Sequence, residues 1–208
     1  MNKQLSEYCS SLITGFNEIS SERKKILTLL SAYIQQKLDK GEQIHLVYIC
    51  THNSRRSHFG QVWAKTAAEY FGIPNVKTYS GGTEATAFNP NAIAALERAG
   101  FLIHKTTEGK NPVHQVFSGK DSSQNICFSK VYDHPENPQK EFAAIMTCSD
   151  AEENCPFIPG VELRIGTTYD DPKAFDNTPQ QNAKYDERCK QIALECFFVF
   201  SKIQPIKG

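Results

Sequence analysis

The 208-residue chain has no excess of either charge, since 23 lysines and arginines are matched by 23 aspartates and glutamates. A surface without a dominant sign is not that of a nucleic-acid or membrane-surface binder, and neither partner is expected. No apolar run approaches the ~20 residues of a membrane-spanning helix. Met1 to Glu7 also lacks the apolar core of a secretory signal, so a cytoplasmic location is the expectation. Nor is there an even complement of cysteines: Cys9, Cys50, Cys127, Cys148, Cys155, Cys189 and Cys196 make seven. An odd set in a chain long enough to build its own core reads as reduced thiols, some of them reactive, rather than as a disulfide framework. No second pair of ligands with zinc spacing accompanies them, and neither a metal nor a cofactor is expected.

What is there is organised around Val47-Tyr-Ile-Cys-Thr-His-Asn-Ser-Arg-Arg-Ser57. An apolar run from Ile44 stops at Cys50, a short polar loop follows, and helical spacing begins at Ser57. A strand therefore feeds a loop that opens a helix. With five residues between them, Cys50 can sit beneath an oxyanion while Arg56 returns to grip it with a planar, forked donor set. Backbone N–H groups of Thr51, His52, Asn53, Ser54 and Arg55 can point inward, and the helix adds the positive end of its dipole. Such a field favours the thiolate, the nucleophilic form of cysteine. Asn53 tolerates positive φ, and the Ser57 hydroxyl can hold the thiolate or cap the helix. The plainer alternative is a buried cysteine at a strand end beside two solvated arginines.

The remaining chain reads as an α/β alternation. Ile26, Leu29, Leu30, Tyr33, Ile34 and Leu38 form a helical stripe ending at Gly41, after a shorter helix carrying Leu5, Cys9, Leu12, Ile13 and Phe16. These helices, residues 1–43, are an N-terminal extension that packs on the following domain or forms a dimer contact. Residues 44–208 form the main domain. After the loop come a helix through Phe59, Val62, Trp63, Thr66, Ala67 and Tyr70, a strand Val76–Tyr79, a turn at Ser80-Gly-Gly-Thr, and a helix capped by Asn89-Pro90 and closed by Gly100. This pattern implies a doubly wound parallel sheet of four strands, with helices on both faces. The segment of about 105–141 interrupts it with a β-hairpin, Val113–Phe117 against Asn125–Tyr132. Phe142–Thr147 and Val161–Ile165 supply the last two strands, and a helix over about 179–203 carries Cys189 and Cys196 on its apolar face.

Cys148-Ser-Asp-Ala-Glu-Glu-Asn-Cys155-Pro156 follows the third parallel strand and opens on the same edge as the Cys50 loop. The two thiols in this acidic, flexible stretch can meet each other, or Cys148 can reach Cys50. A zinc pair and two merely structural thiols are the competing readings. Past the fourth strand, Asp170-Asp171-Pro172 places Asp171 where a carboxylic acid over the cradle can protonate a leaving oxygen. The same dipeptide also starts ordinary turns.

Together these residues resemble the low-molecular-weight protein tyrosine phosphatase superfamily and, within it, the thioredoxin-coupled arsenate reductases. The resemblance is carried by Cys50 to Ser57, Tyr79-Ser-Gly-Gly-Thr-Glu-Ala85, Asn89-Pro-Asn-Ala92, Cys148-Ser-Asp-Ala151, Cys155-Pro156 and Asp170-Asp-Pro172. It implies a nucleophile at Cys50, an oxyanion ligand at Arg56, loop supports at Asn53 and Ser57, and a general acid at Asp171. For a reductase it further implies arsenate as substrate, a Cys50–Cys148 disulfide passed on to Cys148–Cys155, and thioredoxin as the partner that reduces it. For a phosphatase it implies a phosphocysteine on Cys50, with Cys148 and Cys155 dispensable. Gln61 stands where the reductases often carry a glutamate that helps bind potassium, and that ion is not expected here. Lys173-Ala174 replaces the aromatic pair that often follows Asp-Pro in the phosphatases, which speaks against a phosphotyrosine substrate. A non-enzymatic anion-sensing module is the third reading, and a complete nucleophile, arginine and acid set argues against it.

Overall fold

The structure, a computed structural model, describes residues 1–120, 122–154 and 157–204. Two helices, α1 (Lys3–Thr14) and α2 (Ser21–Asp39), precede β1 (Ile44–Cys50), α3 (Arg56–Tyr70), β2 (Val76–Gly82) and α4 (Pro90–Ala99). Then come β3 (Leu102–Lys105), β4 (His114–Phe117), β5 (Asn125–Cys127), β6 (Phe142–Met146), α5 (Ser149–Asn154), β7 (Val161–Gly166) and α6 (Gln181–Ser201). The main sheet has the order β2-β1-β6-β7, with every neighbouring pair parallel. This is the four-stranded arrangement expected from the alternation.

Strand alternation sorts the core into two layers. Leu46 and Tyr48 of β1 and Ala143 and Ile145 of β6 join a cluster with Trp63 of α3, Leu96 of α4 and Phe197 of α6. Val47, Ile49 and Cys50, with Phe142, Ala144 and Met146, face the other way and meet Cys148, Ala151 and Ile158. The first layer contains the apolar sides of α1 and α2, which pack on α6; Tyr8 stacks on Trp63 with ring centroids 5.4 Å apart. Lys37 is buried, bonded to Glu162 of β7 and to Glu42. Hence α2 lies along the free side of β7, the edge position where an uncovered strand would invite pairing.

Four local expectations are corrected. The α2 stripe is rotated: Leu27, Leu30, Ile34 and Leu38 are buried, whereas Leu29 is 56% exposed. Periodicity alone admits either face, and the fit against α6 selects one. Ser80-Gly81-Gly82 is not a turn but the end of β2, since Gly81 and Gly82 pair with Ile49 and Cys50. The inserted segment passes directly over it, with Gly82 N–H donating to Lys130 O and Tyr132 N–H to Gly82 O, both at 2.9 Å. Any Cβ on Gly81 would meet the Tyr132 backbone at 2.5 Å, which is why glycine can remain in a strand there. The hairpin exists, but β5 ends at Cys127 and β3 joins β4 on its other side, giving a three-stranded antiparallel sheet. Finally, the stretch after Cys148 is helical rather than irregular, forming α5.

Two consequences are measurable. A methyl group at Gly60 would lie inside the buried Tyr48 ring, which has no room to move between β1 and α3. Gly60→Ala should therefore cost about 1–3 kcal/mol of stability, read as a lowered urea midpoint; an unchanged midpoint would disprove the close contact. Secondly, burial, aided by the Lys130 charge, holds the His58 imidazole well below its ordinary range, and burial does the same less strongly for His114. A depressed folded-state value means stability is fully present above about pH 6.5, the unfolded value. It is then lost as the pH falls and the unfolded chain takes up protons. Thermal unfolding followed from neutral pH down to pH 5 should show this decline, and His58→Gln should flatten it.

Candidate active site

The loop between β1 and α3 is shaped by a single left-handed residue, Asn53, with φ of 44°. Its side chain is fully buried and works in two directions. Asn53 Oδ1 accepts from Lys130 N–H at 2.8 Å, and Asn53 Nδ2 donates to Ser57 Oγ at 2.8 Å. Ser57 Oγ in turn lies 3.1 Å from Cys50 Sγ. Because one lone pair of the hydroxyl is engaged by Asn53, its proton is free to point at the sulfur, as a thiolate requires. Cys50 itself is 3% exposed, at the end of β1. Gly82 N–H donates to Lys130 O behind the loop, and a Cβ on Gly82 would press on Thr51 O at 2.6 Å and Asn53 N at 2.7 Å.

Arg56, the first residue of α3, is held from the opposite side. Nη1 donates to Tyr169 O at 2.7 Å and Nη2 to Asp171 Oδ2 at 2.6 Å. Its Nε is buried and has no partner among the described residues, which leaves one donor of the fork uncommitted. Asp171 also caps the short turn at Pro172–Phe175, accepting from Lys173 N–H at 3.0 Å. Arg55 is engaged mainly elsewhere: Nε donates to Tyr185 Oη at 2.8 Å and lies 4.0 Å from Asp171 Oδ1, and Nη2 lies 3.6 Å from Asp176. Thus the adjacent arginines have different surroundings. Ser54 Oγ donates to Ala87 O, and His52 is 42% exposed on the rim, 3.8 Å from Glu84.

Cys148 stands two residues beyond Met146 of β6, whose β1 partner is Ile49, so both thiols emerge from adjacent strand ends. Thr51 Oγ1 is 3.4 Å from Cys148 Sγ and donates to Asp150 Oδ2 at 2.7 Å; Ala151 N–H donates to the same sulfur at 3.4 Å. Cys50 and Cys148 share one buried apolar cluster. Cys155 lies outside the described residues. By contrast, burial pushes the thiols of Cys9, Cys127, Cys189 and Cys196 up to about 12. Trp63 Nε1 donates to Cys189 Sγ at 3.2 Å, and Tyr48 Oη lies 3.6 Å from Cys196 Sγ. These four thiols belong to the fold.

The residues named from sequence therefore converge, with Cys50, Arg56, Ser57, Asn53, Asp171, Thr51 and Cys148 on one edge of the sheet. Sequence reasoning missed the supports. Lys130 and Ser129 hold the loop from the inserted segment, the latter donating to His52 O at 3.0 Å. Tyr169 contributes a carbonyl and Tyr185 a hydroxyl. Contacts made through backbone atoms carry no residue-type signal, so only the fold reveals them.

A strand, loop and helix with a buried thiol at the floor, above a four-stranded parallel sheet, form the fold of the low-molecular-weight protein tyrosine phosphatases, which the chain resembles. In sequence it is similar to arsenate reductases: that of Bacillus subtilis (strain 168) is 27% identical over 145 residues, 70% of this chain and 86% of the relative. Among solved structures, a low-molecular-weight protein tyrosine phosphatase from T. tengcongensis superposes with a TM-score of 0.51 at 12% identity, covering 77% of this chain and all of that one. An arsenate reductase in its phosphate-binding state gives 0.50 at 18% identity, covering 78% and 100%. No protein-family model matches the chain.

In the folded protein near neutral pH, iodoacetamide should modify Cys50 while leaving Cys9, Cys127, Cys189 and Cys196 intact, as peptide mass mapping would read. Ser57→Ala removes the hydroxyl 3.1 Å from Cys50 Sγ, a hydrogen bond worth ~1.5–3 kcal/mol to the thiolate form through which alkylation proceeds. It should slow Cys50 alkylation by roughly 10- to 100-fold; an unchanged rate would remove Ser57 from the account.

Proposed function

We propose that the chain reduces arsenate to arsenite, using Cys50 as nucleophile and Cys148 and Cys155 as a thiol relay. The observation that carries this reading is the second thiol. Cys148 Sγ is within hydrogen-bond range of Thr51, the residue next to Cys50, and is buried in the same cluster. Phosphomonoester hydrolysis has no use for a cysteine there. The arsenate reductases among the sequence relatives support the same choice.

In this reading the cradle N–H groups and Arg56 bind the arsenate dianion, with the uncommitted Arg56 Nε available to it. The Cys50 thiolate attacks arsenic and forms an As–S bond. An arsenic-bound oxygen departs as water, protonated by Asp171, which must loosen its pairing with Arg56 to do so. Cys148 then attacks Cys50 Sγ. The As–S bonding pair stays on arsenic, taking it from the pentavalent to the trivalent state, and arsenite leaves while a Cys50–Cys148 disulfide forms. Cys155 next attacks Cys148 Sγ, which frees Cys50 and leaves a Cys148–Cys155 disulfide. The helix α5 between these two cysteines has to unwind for their sulfurs to meet. A dithiol of the thioredoxin type, in a cytoplasmic setting, restores both thiols by two-electron exchange. His52, Ser54 and Arg55 contribute to the cradle through their backbone N–H groups, while their side chains shape the loop from outside.

Purified protein supplied with arsenate, thioredoxin, thioredoxin reductase and NADPH should consume NADPH in an arsenate-dependent manner. Cys50→Ser should abolish this consumption. Cys148→Ser should lower it at least a hundredfold while sparing any hydrolysis of an aryl phosphate. Turnover of the aryl phosphate alone, insensitive to Cys148→Ser, would make the chain a phosphatase instead.

A further inference from the structure

Arg23, in the first turn of α2, reaches out of the N-terminal extension into the strand-to-loop segment that carries Asp171. Nη2 donates to Thr168 O at 2.7 Å, and Nε lies 3.3 Å from Glu195 Oε1. The guanidinium carbon sits 5.2 Å from the centre of the Tyr169 ring. Tyr169 Oη donates to Glu195 Oε2 at 2.7 Å, and both residues are buried. The Tyr169 carbonyl is the acceptor for Arg56 Nη1, and Asp171 is two residues further on. A continuous set of short contacts thus runs from α2 through α6 and the loop to the oxyanion arginine.

We propose that Arg23 is a positioning residue for the reaction, and that through Thr168, Tyr169 and Glu195 the N-terminal extension sets the placement of Arg56 and Asp171. The inference rests on the reading of Cys50 as an oxyanion nucleophile. Its physical basis is that Glu195 is a buried carboxylate whose charge needs compensation. Arg23 from α2 and the Tyr169 hydroxyl from the loop meet it directly, with Arg188 and Gln191 of α6 also facing it. Burial pushes its carboxyl up, and Arg23 is the largest influence in the opposite direction. Removing Arg23 takes the strongest charge partner from a buried carboxylate, leaving it the Tyr169 hydroxyl, Gln191 and the Arg188 charge, frees the Thr168 carbonyl and loosens one face of the Tyr169 ring. The segment from Thr167 to Asp171 is also anchored by backbone bonds at Thr167 N to Met146 O and Tyr169 N to Thr147 O on its sheet side, and by Arg188 at Asp170 and the cradle arginines at Asp171, so that Arg23 is what holds Thr168 and the Tyr169 ring. Displacement on its outer side would reach Arg56 through the Tyr169 carbonyl. An error on the order of 1 Å in such a group costs about 100-fold in rate.

The test compares wild type with Arg23→Met, Arg23→Lys and Glu195→Gln, with Arg98→Met at an exposed ion pair as control. Arsenate turnover is measured as kcat and KM. Binding is measured separately as protection of Cys50 from iodoacetamide by arsenate and by inorganic phosphate. Arg23→Met should lower kcat by roughly 10- to 100-fold and weaken protection by both anions. The alkylation rate without anion should stay as in wild type, because Ser57 and Asn53 do not touch Arg23. Arg23→Lys should recover part of the loss, and Arg98→Met should change nothing. If Arg23→Met does not fold, Glu195→Gln, which preserves shape and removes the charge, carries the same expectation. A lower melting temperature with unchanged kcat, KM and protection would overturn the inference, leaving Arg23 a scaffold residue. Wild-type protection by phosphate without arsenate turnover would overturn the reductase reading alone, and the protection data would still decide the role of Arg23. If neither anion protects wild-type Cys50, both fall.

Discussion

The bond from Asn53 to the Ser57 hydroxyl is the constraint on which the rest of this molecule depends. A sulfur at the end of a buried strand can hold negative charge only if donors are aimed at it, and a hydroxyl is ambivalent until one of its lone pairs is taken. Asn53 takes it. To do so, Asn53 must adopt a left-handed conformation and hold its own amide in register, which the Lys130 N–H enforces. That requirement places the inserted segment across the end of β2, where the crossing leaves no room for a side chain at Gly81, while the Cys50 loop itself leaves none at Gly82. Buried polar groups persist when their partners are complete, and here completeness extends from one thiol to a segment almost eighty residues away.

Sheet geometry does the second part of the sorting. The alternation of β1 turns Tyr48 toward α6 and Cys196, and turns Val47 and Ile49 toward the layer shared by Cys50 and Cys148. Thiols in the first layer are desolvated among rings and aliphatic chains and stay protonated. The two at the strand ends instead meet hydroxyl and amide donors. One sequence thus carries inert and addressable cysteines without any change of residue type, because burial and donor placement rather than identity decide thiol chemistry.

The two additions to the compact fold are joined to it by polar contacts as well as by packing. The N-terminal helices complete the apolar layer around Trp63 and Phe197 and send Lys37 to Glu162 and Arg23 to Glu195. The inserted segment extends the sheet past β2 and braces the Cys50 loop through Ser129 and Lys130. These braces are contacts made by the added segments.

The four parallel strands and the loop and helix that follow the first of them were legible in the chain itself, because an apolar run ending in a cysteine and polar loop has few foldings that satisfy it. Asn89-Pro90 and Gly100 likewise announced the ends of α4, where Asn89 caps and Gly100 adopts φ of 112°. The buried side of α2 was not legible, since Leu27 and Leu29 are equally apolar and only the surface of α6 distinguishes them. Nor was the helical state of the residues after Cys148, whose acidic composition also suits a loop. The sequence by itself determined which atoms can act: a thiol, a guanidinium, a carboxyl and a second thiol at the ends of successive strands. Tertiary structure alone decided which groups hold them, because Lys130 N–H, the Tyr169 carbonyl and the Arg23–Glu195 pair act across long stretches of chain, through contacts that local spacing does not encode.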